Sequence, residues 1–112
     1  HDPGASHVER PERLEVIVRS LQQAGLLDQM DALPFSSATV EQLTLVHDPA
    51  YVDLLRMMCD EGFTCVGSSD TGINALSYEV AALAAGGVLA ACDAVMTGRV
   101  RRVFCAVRPP GW

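Results

Sequence analysis

The run VFCAV at residues 103–107 constrains this chain more than any other stretch. Five consecutive apolar residues, flanked by Arg102 and Arg108, have the length and β-branched content of a strand buried on both faces. Such a strand needs hydrogen-bonded neighbours along its edges and packed layers above and below it. The chain offers one weak second strand, Thr64-Cys65-Val66. The pattern therefore predicts one clear strand whose sheet partners are absent from this sequence. Arg108, Pro109, Pro110 and Gly111 end the run, because consecutive prolines donate no ladder hydrogen bonds and glycine permits a sharp turn.

The rest of the pattern is helical. Leu14, Ile17, Val18 and Leu21 share a face of a helix that starts near Pro11 and stops at Gly25. Thr39-Val40-Glu41-Gln42 has the spacing of a capping box and predicts a short second helix. Asp48-Pro49 supplies an N-cap and a first-turn proline, and Tyr51, Leu54, Leu55 and Met58 mark a third helix to about Glu61. Residues 67–72, GSSDTG, read as a polar loop. A fourth helix begins near Ser77, carries Ala81, Ala82, Ala84, Ala85, Gly86, Gly87, Ala90 and Ala91, and ends at Gly98. Its small side chains predict close approach by a neighbouring backbone. The expected core is Leu14, Ile17, Leu21, Leu54, Leu55, Met58, Val80, Leu83, Val88 and Phe104, and residues 1–112 are expected to form a single partial domain.

Composition narrows the function. The chain is 49% hydrophobic and 20% charged, as expected of a folding chain. Its net charge of −6 excludes the electrostatic footprint of a nucleic-acid binder, with Arg99, Arg101 and Arg102 as the only basic cluster. Cys59, Cys65, Cys92 and Cys105 include no C-x-x-C pair, which predicts free thiols in a reducing cytoplasm. The uncharged run 80–92 is too short to span a bilayer, and no membrane role is expected.

Four strings now matter together: HVERPERLEVI at 7–17, LVHDPAYVDLL at 45–55, SDTGINALSYEVAALAAGG at 69–87 and VRPPG at 107–111. Their order and spacing resemble the N-terminal part of histone deacetylase family proteins, particularly bacterial deacetylase-like amidohydrolases. The resemblance implies an α/β fold of the arginase/deacetylase parallel-sheet type, mostly helical in this portion. It also implies a parent activity: zinc-dependent removal of acetyl groups from acetyl-lysine or acetylated polyamines. By the same resemblance Asp70 is a rim residue holding substrate, and Arg108, Pro109, Pro110 and Gly111 form a pocket wall.

The match has departures. His7-Val8-Glu9 stands where the family usually has His-Pro-Glu, and Trp112 stands where the first histidine of a His-His pair is expected. That pair and the zinc ligands have no counterpart in the chain, so no catalytic or metal residue is assigned and the chain alone is expected to be inactive. His7 and His47, with Glu9, Asp48 or Asp53, do not make a convergent ligand set by sequence. The alternatives are one segment of a split or longer deacetylase, completed by a C-terminal segment, and a stand-alone module that self-associates through the exposed strand edge.

Overall fold

In the computed structural model, which describes residues 10–61, 65–66, 68–72 and 76–109, helices dominate. Helix α1 spans Pro11–Gln23, α2 Val40–Leu43, α3 Pro49–Asp60 and α4 Ser77–Met96. A single 3-10 turn, Leu27–Gln29, follows α1. Between α3 and α4 lie two short strands, β1 at Cys65–Val66 and β2 at Ser68–Gly72, paired antiparallel.

Local chemistry sets the helix boundaries. The α2 capping box is complete: the Thr39 hydroxyl accepts from the Gln42 N–H at 3.1 Å, and the Gln42 side chain accepts from the Thr39 N–H at 2.9 Å. Asp48 caps α3 by accepting from the Ala50 N–H at 2.8 Å. Helices α1 and α4 end alike. Gly25 and Gly98 adopt φ of 72° and 78°, and Leu26 and Arg99 donate to the carbonyls of Leu21 and Ala94 at 3.0 and 2.9 Å. This arrangement satisfies carbonyls that a helix end leaves open, and it requires a left-handed residue that glycine fills without strain.

Packing centres on α4. Helix α3 lies against it, and the extended segment 35–38 runs across it. The Ala38 N–H donates to the Ala82 carbonyl at 2.8 Å. One turn further along α4, the Ser36 carbonyl stands where a side chain at Gly86 would be. Among the described residues the buried apolar side chains are correspondingly small: Ala38, Val52, Cys59, Ala82, Ala91 and Ala94, of which Cys59 is fully buried.

Three sequence expectations are corrected here. Residues 103–107 form no strand, because no other segment among the described residues pairs with their backbone. Residues 68–72, read as loop, are strand β2, since the polar run folds back on Cys65–Val66. The expected core of large side chains is not buried: Leu14, Leu21, Leu55, Met58 and Val80 are half-buried, and Ile17, Leu54, Leu83, Val88 and Phe104 are exposed. Periodicity found helical faces, but small residues take the interior because backbone approaches α4 closely. Helix α4 is also long and apolar enough to cross a membrane by length and composition, which the shorter uncharged run did not suggest.

The shape agrees with this packing. The chain is a slab of 42 × 33 × 17 Å with 8075 Å² of accessible surface. A compact monomer of 12.0 kDa exposes about 6,000 Å². Large apolar side chains lie on the surface, with Phe104 62% and Met96 84% exposed.

The two adjacent glycines of α4 respond oppositely to alanine. At Gly86 a methyl group meets the Ser36 backbone and, at 2.9 Å, the Ala38 nitrogen, so Gly86→Ala lowers stability by about 1–3 kcal/mol. At Gly87 it meets the Phe35 ring at 3.6 Å and a Val107 methyl at 3.8 Å, both ordinary contacts, so Gly87→Ala is neutral or stabilising by up to ~1 kcal/mol. Denaturant unfolding of both variants checks the contrast.

Candidate functional site

The sequence-designated rim residue, Asp70, lies in β2. That strand pairs with β1 through Cys65 opposite Gly72 and Val66 opposite Ser68, with an irregularity between the two pairs. The hairpin connects the end of α3 to the start of α4, and contacts between those helices hold its root. Cys59, in the last turn of α3, is fully buried and accepts a backbone hydrogen bond from Tyr78 in the first turn of α4. Burial pushes the Cys59 thiol above its ordinary range; the Tyr78 hydrogen bond opposes this and the Asp60 charge adds to it. The thiol is therefore a neutral packing group, unsuited to nucleophilic chemistry. One helical turn before it, Arg56 places its guanidinium 5.6 Å from the centre of the Tyr78 ring.

The second set of designated residues follows the extended segment 103–107. Val107 and Phe35 both lie against Gly87, with a Val107 methyl 3.8 Å from the position of a Cβ there. Contact with the middle of α4 therefore fixes the approach to Arg108. Arg108 and Pro109 are half-buried. Pro110, Gly111 and Trp112 lie outside the described residues. Asp70 thus sits on the hairpin that precedes α4, while Arg108 follows a segment that lies against the middle of that helix.

The zinc implied by the family resemblance does not fit the donors present. Among the described residues no three His, Cys, Asp or Glu side chains converge on a point. Asp48 is engaged as a helix cap, and the His47 ring lies 5.7 Å from the Tyr51 ring, tilted by 38°. His7 and Glu9 lie outside the described residues.

Sequence reasoning did not single out segment 35–38 or the Arg56–Tyr78 pair. The adjacent glycines of α4 signalled the first, because two glycines inside a long helix cost stability unless something approaches closely. Nothing in local periodicity signals a cation over a ring 22 residues away.

Comparisons with known proteins agree with this architecture. Residues 7–112 match the histone deacetylase domain. The chain is 36% identical over 115 residues to polyamine deacetylase HDAC10 of Homo sapiens, covering 98% of this chain and 17% of that protein. It is 34% identical over 107 residues to a histone deacetylase-like amidohydrolase of Pseudomonas aeruginosa, covering 96% of this chain and 28% of that one. The crystal structure of the HDA15 HD domain superposes with a TM-score of 0.87 at 34% identity, over 96% of this chain and 30% of that chain. The chain thus spans less than a third of each of these proteins, and it belongs to the histone deacetylase family.

Proposed function

We propose that these 112 residues supply the substrate-rim and pocket-wall portion of a zinc-dependent deacetylase, and that they do not hydrolyse amides by themselves. The observation that carries this reading is the 0.87 superposition on a deacetylase domain, which extends over 96% of this chain but only 30% of that domain. The substrate class is an acetylated amine, either acetyl-lysine or an acetylated polyamine, in keeping with the names of the polyamine deacetylase and amidohydrolase relatives. In a whole domain a bound zinc would supply polarisation of the acetyl carbonyl and activation of water; the described residues of this chain form no site for it. The part assigned to this chain is to accept substrate hydrogen bonds at Asp70 and to shape the pocket wall at Arg108, Pro109, Pro110 and Gly111. Cytoplasmic location belongs to the same reading.

A second reading is supported by the exposed apolar surface. Among the described residues no backbone pairs with 103–107, and Phe104 is 62% exposed. Self-association through this edge would cover both features, with apolar burial as the driving term.

Two measurements separate these readings. With added zinc, the purified chain is expected to release no acetate from an acetyl-lysine peptide or from an acetylated polyamine. Turnover that a chelator abolishes would overturn the first reading. In sedimentation the chain is expected to form dimers or larger species, weakened by Phe104→Ser and little affected by Arg101→Ala. A compact monomer at high concentration would overturn the second.

A further inference from the structure

The β1–β2 hairpin cannot hold its own position. Strand β1 has only two residues, the pairing is irregular, and an isolated two-stranded hairpin is at best marginally stable in water. Its placement depends on its root, where α3 ends at Asp60 and α4 begins at Ser77. Two of the contacts that tie that root together are made by Tyr78. The Tyr78 backbone hydrogen-bonds to the buried Cys59 sulfur, and the Tyr78 ring lies 5.6 Å from the Arg56 guanidinium. The first joins the helices at the backbone. The second fixes the rotation of α3 relative to α4, because Arg56 precedes Cys59 by about one turn of the same helix.

We infer that Arg56 and Tyr78 form a clamp at the root of the β1–β2 hairpin and act as positioning residues for the strand that carries Asp70. The role of Asp70 itself rests on the proposed deacetylase reading; the clamp does not. Because Arg56 is exposed, the attraction is of the weaker kind, and its loss opens the hairpin without unfolding the helices. The clamp needs a cation over an aromatic face, so lysine serves at position 56 and phenylalanine at position 78.

The test is amide hydrogen exchange on the full chain, read at the paired amides of residues 65–72 and at interior amides of α4. Arg56→Ala and Tyr78→Leu are expected to speed hairpin exchange about two- to five-fold, leaving α4 unchanged. Arg56→Lys and Tyr78→Phe are expected to restore the parent rate. Hairpin exchange unmoved by Arg56→Ala, or as fast with Arg56→Lys as with Arg56→Ala, would overturn the clamp. An equal acceleration at hairpin and α4 amides would also overturn it, since that marks general destabilisation. The readout needs no turnover, so failure of the clamp and failure of the deacetylase reading are told apart.

Discussion

The contact between segment 35–38 and helix α4 governs how this chain packs. A peptide backbone carries polar groups that must be hydrogen-bonded when buried, and a helix surface ordinarily offers it none. Here the Ala38 N–H reaches the Ala82 carbonyl at 2.8 Å, and the Ser36 carbonyl occupies the space that a side chain at Gly86 would take. Small residues on α4 are therefore a geometric requirement. Phe35, carried on the same segment, then covers Gly87 together with Val107. One close approach thus orders the linker after α1, the middle of α4 and the segment leading to Arg108.

That arrangement explains why so little of the chain's apolar surface is buried. A helix packed through alanine and glycine gains contact but removes little area from water, and larger side chains on α1, α3 and α4 stay at the periphery. The resulting slab measures 17 Å along its thinnest axis against 42 and 33 Å along the others, and its packed layers are helical. Protein domains are built from two or more such layers around a shared core. The superposition on 30% of a deacetylase domain gives the same account from outside: this is one part of a layered α/β architecture, with the apolar surfaces such a part presents.

Elements governed by local chemistry were legible in the sequence. The Thr39–Gln42 capping box, the Asp48-Pro49 helix start, and the left-handed Gly25 and Gly98 are each fixed within a few residues. The run at 103–107 read as a strand buried on both faces, but pairing is a property of neighbours: among the described residues nothing pairs with it, and Val103, Phe104 and Val107 are exposed. Buried positions were misjudged for a related reason: Val52 and Cys59, not Leu54 and Leu55, take the buried positions of α3. The family was readable from four ordered strings. Of the site, Asp70 and Arg108 were assigned by resemblance alone, while the pair that ties down the hairpin spans two helices and leaves no local trace.

The central claim is that the approach of segment 35–38 to α4 organises the chain, and the exchange rate of a single amide tests it most directly. Ala38 lies outside every helix and strand, and its N–H is bonded only by tertiary contact. The account predicts that this amide is protected far above exposed loop amides, because it opens only when segment and helix separate. An Ala38 amide that exchanges as fast as an exposed loop amide, while α4 stays protected, would contradict it.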